Sequence, residues 1–231
     1  MNTKKITASE ALTKAWEIFK QNALQHLGIF LLLIFILAIF QSLSKNVVMS
    51  IINFIVEFLV AIFIYGYSLD VIRGEYKGLN AVINKYFTQE KMLNFLIYYV
   101  IVLLVAAILL LPMIFIIFFG ATFNKYLGLL MAALGSVAIF LIMARLFFAP
   151  FYIVDKGMNG IDALSRSWQD TRPYFGEILL LLLLQIVLIF VGLLACGIGV
   201  LVAIPVVYFM QTLFYDAIAG EGEHKEMIEN L

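Results

Sequence analysis

Three polar side chains lie inside long apolar runs of the sequence and are candidates for chemistry within a membrane. Glu57 lies well inside the run 47–72, and Asn53 lies one helical turn before it on the same face. Gln185, in the middle of another apolar run, is a candidate partner for Glu57 at a similar depth. A charge in this environment costs several kilocalories per mole. The group is therefore interpreted either as a proton or cation site or as a structural carboxyl group that is protonated or hydrogen-bonded.

Two short segments match in residue type at all seven positions and supply a second set of candidates. Segments 10–16 and 162–168 each contain an acid, Ala, Leu, a hydroxyl residue, a base, a small residue and Trp. Each precedes a long apolar run, so the base and the indole ring are predicted to lie at the membrane interface beside anionic headgroups. Simple anchoring of the topology is the alternative explanation. The candidate headgroup or interface contacts in these segments are Lys14, Trp16, Arg166 and Trp168.

Arg145, near the end of the apolar run 126–150, belongs to the same set of candidates. Its guanidinium group suits a forked contact with a carboxylate or a phosphate. The candidate partners are Asp155, Asp170 and a lipid phosphate. The alternative is a plain cytoplasmic anchor, with the side chain extended toward water.

No constellation of residues in the sequence points to catalysis. The single cysteine, Cys196, excludes an internal disulfide and a cysteine metal cluster, and the two histidines, His26 and His224, have no ligand spacing. Gly197 and Gly199 lack the strand before them and the lysine after them that a phosphate-binding loop requires. We find no nucleophile paired with a base and no basic patch for nucleic acid. The sequence therefore predicts a protein without catalytic residues, metal or cofactor.

The composition identifies the elements that position these residues. Hydrophobic residues form 64% of the chain and charged residues 13%, and the mean hydropathy is +1.05, so a soluble domain is excluded. Because a membrane core of about 30 Å needs roughly 20 residues of helix, each long apolar run is predicted to span once. The chain is thus expected to be an all-α integral membrane protein with six transmembrane helices, over 24–43, 47–72, 92–119, 126–150, 173–195 and 200–219.

Polar stretches before alternate spans are predicted to form interfacial helices. Thr7 and Glu10 have the spacing of a capping box, which marks a helix start. Leu12, Trp16 and Phe19 recur at helical spacing and would lie in the acyl boundary. A short soluble helix packed on the ends of the spans is a compatible alternative.

A weaker third copy of this element, over 80–87, aligns Ala81 with Ala11 and Tyr86 with Trp16. The chain is then expected to be a single membrane domain, 1–231, made of three helical hairpins, each preceded by a cytoplasmic amphipathic helix. The internal quasi-repeats are predicted over 1–72, 73–150 and 151–231. The predicted connections within the hairpins are 41–46, 120–125 and 196–199, and a frayed tail is expected over 220–231.

The distribution of basic residues predicts the orientation. Lys45 and Lys125 alone fall on one side of the predicted membrane. By the positive-inside rule, the opposite side, with both termini and all three interfacial helices, is cytoplasmic. The basic residues on that side are Lys4, Lys5, Lys14, Lys20, Arg73, Lys77, Lys85, Lys91, Arg145, Lys156, Arg166, Arg172 and Lys225.

The stretch 145–216 resembles a known family. Segments 145–150 (RLFFAP), 151–157 (FYIVDKG) and 163–168 (ALSRSW) are similar to the signature of the YciC-like bacterial inner-membrane proteins, and to the membrane domain attached to some glycerophosphoryl diester phosphodiesterases. The resemblance implies a helical membrane domain whose biochemical function is poorly defined. It does not imply phosphodiesterase activity, which belongs to a separate soluble domain for which this chain has no room.

We therefore expect a multi-pass protein of the bacterial cytoplasmic membrane that is not an enzyme and acts as a scaffold or accessory factor in envelope or lipid homeostasis. Its expected partners are membrane lipids, with a membrane protein or a second copy of the chain as further candidates. The alternative is a small transporter or permease for an amphipathic or lipid-linked substrate, favoured by the repeats, by prolines within spans and by Glu57. Replacing Glu57 with glutamine separates the two, because loss of transport with unchanged expression would contradict the scaffold.

Overall fold

The computed structural model describes residues 6–123, 125–195 and 197–229; Lys4, Lys5 and Cys196 lie outside these ranges. The described residues form ten α-helices and no strand, and six segments are long and apolar enough to span a membrane, as predicted. The helices are α1 (Ala8–Gln21), α2 (Ala23–Leu43), α3 (Val47–Ile72), α4 (Leu79–Tyr86), α5 (Gln89–Phe123), α6 (Lys125–Leu146), α7 (Ala149–Lys156), α8 (Gly160–Asp170), α9 (Phe175–Leu194) and α10 (Ile198–Glu229), with a 3-10 turn at Arg172–Tyr174.

The second predicted span has the same bounds as α3, and the capping box predicted at Thr7 and Glu10 is present at the start of α1. The first connection is shorter than predicted, because α2 continues to Leu43. Asn46 ends this connection by capping α3, since its side chain accepts a hydrogen bond from the backbone N–H of Met49 at 2.9 Å.

Three other predicted boundaries are wrong. The stretch 120–123 belongs to α5, and α6 begins at Lys125. The fourth span ends as a helix at Leu146, and Pro150 lies in the first turn of α7, where its missing N–H costs no helical hydrogen bond. The predicted frayed tail, 220–231, is helical instead as far as Glu229, where α10 ends, and its last two residues lie outside the described part of the chain.

The chain divides into two compact units, which we call the first unit (Met1–Thr88 and Gly176–Leu231) and the second unit (Gln89–Phe175). In the first unit α10 is the central helix, packed against α1, α2 and α3. More than half of its apolar window, 56%, is buried, the largest share among the six spans. Rings of Phe30, Tyr67 and Phe209 meet in this core. The three quasi-repeats stay a prediction.

In the second unit α5 packs against α6, and both α5 and α6 contact α8. Glycines allow the close approaches. A Cβ atom on Gly160 would lie 2.8 Å from the backbone nitrogen of Tyr98, and one on Gly120 would lie 3.2 Å from the Cα of Gly128. Small residues at such contacts let the helix backbones approach closely, and the helices then gain van der Waals contacts with each other.

Candidate functional site

The two matching segments, in α1 and α8, bury equivalent positions. Ala15 in α1 and Ser167 in α8 are fully buried against their own units. One residue further along, Trp16 and Trp168 are 43% and 44% exposed. The predicted apolar stripe of α1 is therefore divided, since Phe19 is buried while Trp16 faces outward.

The third short helix, α4, has a register one residue away from the predicted one. Val82 and Tyr86 are its buried residues, so Tyr86 takes the position of Ala15 rather than that of Trp16. The cause is a hydrogen bond from the Tyr86 hydroxyl to the buried carboxylate of Asp70 at 2.8 Å. The predicted alignment of Tyr86 with Trp16 is wrong.

Asp70, only 2% exposed, holds α4 against the end of α3. The Nζ of Lys85 donates to it at 2.6 Å and to Glu75 at 2.8 Å. The ring of Tyr86 lies against Gly66, where any Cβ atom would overlap the ring. Because each partner of Asp70 comes from α4, this cluster fixes both the position and the register of that helix.

Two pKa shifts in this cluster predict that the first unit loses stability in alkali. Burial would lower the pKa of Lys85, but hydrogen bonds to Asp70 and Glu75 outweigh it and raise that pKa above its ordinary 10.5. Burial, reinforced by Asp70, raises the pKa of Tyr86 above its ordinary 10.0. Both groups bind protons more tightly when folded, so their contribution is complete below about pH 10 and lost as the pH rises further.

We therefore expect the unfolding temperature of the protein in nanodiscs to fall above about pH 10, and the fall to be smaller in Tyr86→Phe, which has no phenol to titrate there. Circular dichroism followed across pH 7–12 measures this. A Tyr86→Phe curve parallel to that of the unmodified chain would contradict the assignment.

Arg73 joins α3 to α10 within the first unit. Its Nη2 donates to Oδ1 of Asp216 at 2.6 Å, and its Nε donates to the same oxygen at 3.2 Å. Glu177 of α9 accepts a hydrogen bond from the backbone N–H of Ala8 at 2.8 Å, at the start of α1. Charged groups here connect helices to one another, which was not predicted from the sequence.

Lys14, a predicted headgroup contact, is exposed and makes no hydrogen bond or ion pair with the described residues.

A carboxylate also organises the end of the second unit. Asp170 accepts hydrogen bonds from Nε of Arg166 at 2.7 Å and from the hydroxyl of Tyr152 at 2.6 Å. Arg166, proposed from its position as a headgroup contact, therefore already has a carboxylate partner. These two hydrogen bonds also occupy Asp170, which was predicted from the sequence as a candidate partner of Arg145.

Arg145 has no carboxylate among its contacts with described residues. Its Nη2 donates to the backbone oxygen of Trp168 at 2.6 Å, and its Cζ lies 4.5 Å from the Trp168 ring centroid and 5.6 Å from that of Phe175. Its Nε is buried without a partner. The charge of Arg172 acts on it from nearby, and Arg172 itself is exposed. Arg145 thus lies over an exposed indole, with the charge of Arg172 acting on it, and we call these three residues the candidate anion site.

The backbone around this anion site is fixed from α8. The carbonyl oxygen of Arg145, at the end of α6, accepts hydrogen bonds from the hydroxyls of Ser167 at 2.9 Å and Thr171 at 3.2 Å. Both hydroxyl residues are fully buried. Two buried hydroxyls therefore hold the backbone from which the guanidinium group extends. Arg172 was not predicted to belong to this site, because its proximity to Arg145 depends on how α6 packs against α8.

The structure brings Asn53 and Glu57 together but gives Gln185 a different partner. The amide nitrogen of Asn53 donates to Glu57 at 2.7 Å and to the side-chain oxygen of Gln41 at 3.1 Å. Glu57 is exposed, and the oxygen of Asn53 is buried without a partner. Gln185 instead accepts from the amide of Gln211 at 3.2 Å, so the proposed Gln185–Glu57 contact is not formed.

A cavity of about 340 Å³ lies within the first unit beside this amide pair. Gln211 and Tyr208 are the residues with polar groups in its lining, which is otherwise aliphatic and aromatic. Gln185 is only 6% exposed, and its amide nitrogen has no partner. The pairing of Gln211 with Gln185 could have been predicted from the sequence, because both residues lie in the apolar runs that were predicted to form the last hairpin.

Another missed polar contact joins buried His26 to Tyr67, whose hydroxyl lies 2.5 Å from Nδ1.

No group of three or more His, Cys, Asp or Glu side chains able to hold a metal ion occurs among the described residues. Comparison of the chain with protein-family models, curated proteins and solved structures finds no match. The resemblance to YciC-like proteins therefore depends on the quoted sequence segments alone.

Proposed function

We propose that this chain is a non-enzymatic, multi-pass protein of the bacterial cytoplasmic membrane that binds phospholipid headgroups and acts as a scaffold or accessory factor in envelope or lipid homeostasis. The observation that carries the proposal is the position of the Arg145 guanidinium group over the exposed Trp168 ring, with the charge of Arg172 nearby. Arginine matches phosphate oxygens with a planar fork of donors, and an exposed Trp is typical of the membrane interface.

The proposed arrangement in the membrane has three spanning hairpins, with α1, α4 and α8 as cytoplasmic interfacial helices. Three observations support it. α2 packs against α3 and α5 against α6, the short helices carry exposed apolar residues such as Ile161 and Ile83, and the basic residues favour one side. The envelope role rests on the YciC-like resemblance, since fold alone does not assign function.

The headgroup proposal predicts selective retention of an anionic phospholipid. The full chain in nanodiscs of mixed phosphatidylglycerol and phosphatidylcholine should keep phosphatidylglycerol bound in native mass spectrometry. Arg145→Gln should weaken this binding roughly tenfold to hundredfold, because a hydrogen bond to a charged group contributes roughly 1.5–3 kcal/mol and 1.4 kcal/mol is tenfold. Arg145→Lys should bind between the two, because the charge remains but the fork is lost.

Lys45→Gln is the matched control, since it removes the same charge from the connection between α2 and α3. It should retain phosphatidylglycerol like the unmodified chain. Added inorganic phosphate tests the second source of the same chemistry, and displacement of the lipid at millimolar phosphate would indicate a site for the free ion. Equal lipid retention by Arg145→Gln and Lys45→Gln would refute the proposal.

The second candidate function is a permease for an amphipathic or lipid-linked substrate. The observation that favours it is the cavity beside Gln211 and Gln185, whose volume lies at the lower end of the usual range for ligand pockets. In the same mass spectra, a lipid-linked molecule kept at fixed stoichiometry after Arg145→Gln would favour the permease over the scaffold.

A further inference from the structure

The cavity of about 340 Å³ in the first unit has a single carboxamide in its lining. That carboxamide belongs to Gln211 of α10, and the rings of Phe30 and Tyr208 are also part of the lining. The other seven lining residues are Leu, Ile or Val, and they come from α2, α3, α9 and α10. None of the described residues in this lining is Lys, Arg, His, Asp or Glu. Because a charged ligand would find no opposite charge there, the lining suits an uncharged and largely apolar ligand.

The Gln211 amide is held by one hydrogen bond and keeps one polar atom available. Its nitrogen donates to the side-chain oxygen of Gln185 at 3.2 Å, which sets the orientation of the group. Its oxygen makes no hydrogen bond with the described residues and is not fully enclosed by them. Gln211 therefore offers an acceptor at the cavity, and the complement of an acceptor is a hydroxyl or an N–H group.

This acceptor lies deep in the predicted membrane. Gln211 is about 20 Å along α10 from Ile198, and Gly220, where the apolar part of this helix ends, is about 14 Å further. The aliphatic lining extends toward the connection between α2 and α3, since Leu37 lies about 9 Å before the end of α2. The headgroup of a phospholipid stays at the interface, because charges are costly in the core. A ligand that uses the acceptor must instead carry an uncharged polar group into the hydrocarbon layer.

The cavity can be entered from the lipid layer. Ile189 of α9, one of its lining residues, is 37% exposed, so a molecule dissolved in the membrane can approach beside it. On α10, Pro205 lies between the lining residues Ile204 and Val207. A proline inside a helix removes a hydrogen bond and normally kinks the helix, which favours a gap between α10 and its neighbours. The cavity therefore combines a space and an entrance at the depth of the hydrocarbon chains.

We propose that this cavity binds an uncharged lipid alcohol, whose hydroxyl donates to the Gln211 oxygen and whose chain lies along the aliphatic lining. A hydroxyl without an acceptor is unfavourable in hydrocarbon, so Gln211 would select such molecules over chains without a donor. An isoprenoid alcohol and a diacylglycerol share this chemistry. The proposal names a ligand class for the cavity that favours the permease, and it rests on that second candidate function. The candidate anion site belongs to the second unit and is not involved.

Matched probes test the hydroxyl contact without any change to the protein. Farnesol and dioctanoylglycerol are each added to the full chain in nanodiscs beside their methyl ethers, and native mass spectrometry counts the bound copies. Each ether keeps the chain and loses the donor. One alcohol should bind roughly twofold to tenfold more tightly than its ether, the range for one neutral hydrogen bond, and that alcohol identifies the source. Equal binding of alcohols and ethers, or no binding of either alcohol, would overturn the proposal.

Two substitutions on α10 test the acceptor. Gln211→Leu keeps a similar volume and removes the amide, so it should bind the alcohol no better than the ether. Thr212→Val is the matched control, because Thr212 is fully buried outside the lining and its hydroxyl already donates to the carbonyl oxygen of Tyr208 at 2.8 Å. It should keep the preference for the alcohol. A preference that survives Gln211→Leu, or that both variants lose, would show that Gln211 is not the acceptor.

The same spectra separate this inference from the proposed functions. Phosphatidylglycerol retention reports on the candidate anion site alone. A lipid-linked molecule kept at fixed stoichiometry, without binding of farnesol or dioctanoylglycerol, would refute the lipid-alcohol inference and leave the permease candidate in place. Circular dichroism checks that each variant is folded, and the probe pairs decide the question if Gln211→Leu does not fold.

Discussion

Gly66→Ala is expected to destabilise the first unit by about 3 kcal/mol. The new Cβ atom would overlap the ring of Tyr86, which is 1% exposed and held by Asp70. Overpacking of this kind costs roughly 1–3 kcal/mol. If the ring moves to relieve the overlap, its buried hydroxyl loses the bond to Asp70, at a similar cost. The free energy of unfolding from an SDS titration in mixed micelles measures the loss.

Gly28→Ala is the control for this substitution. Gly28 also lies in a spanning helix of the first unit, α2, and has no atom within 4 Å of an added Cβ. Since alanine is a better helix former than glycine by about 1 kcal/mol, this variant should be neutral or slightly stabilised. If Gly28→Ala and Gly66→Ala shift the free energy of unfolding by the same amount and sign, the contact with Tyr86 does not limit packing.

Lys85→Met is expected to cost about 1–3 kcal/mol. It leaves the buried Asp70 carboxylate with Tyr86 as its remaining side-chain partner among the described residues and removes the opposing charge. Breaking a fully buried pair costs roughly 3–5 kcal/mol, but the Lys85 side chain is 42% exposed, so the expected value is lower. The same SDS titration measures the change.

Lys77→Met is the matched control, since Lys77 is exposed and makes no hydrogen bond or ion pair with described residues. It should change stability by less than about 0.5 kcal/mol. Adding Asp70→Asn to Lys85→Met removes the unpaired charge and should restore part of the loss. A double variant no more stable than Lys85→Met alone would show that the charge of Asp70 is not the cause.

Hydropathy was sufficient to predict the spans because the membrane requires helices of a fixed length with satisfied backbone groups. The bounds of α3 follow from Asn46 as a cap and from Arg73 and Gly74 at the other end. Breaks between helices were predicted less well. No glycine or proline lies between Phe123, where α5 ends, and Lys125, where α6 begins, and Pro150 starts a new helix instead of ending a span.

The polar contacts could be predicted only in part, because most of them join residues far apart in the chain. Asn53 and Glu57 are neighbours on one helix, so their bond follows from spacing. Tyr86 with Asp70, and Arg145 with Trp168, depend on how separate helices meet. The predicted register of α4 was wrong for this reason. Tyr86 matches Trp16 as an aromatic residue, but its hydroxyl donates a hydrogen bond to the buried Asp70.

The position of α10 has a consequence for how the chain is made. Helices α1, α2 and α3 are synthesised before the second unit, yet α10, which packs against all three, follows that unit in the chain. The second unit is continuous in sequence and can complete its contacts before α10 is made. The early helices must therefore wait without their central partner while the whole second unit is synthesised.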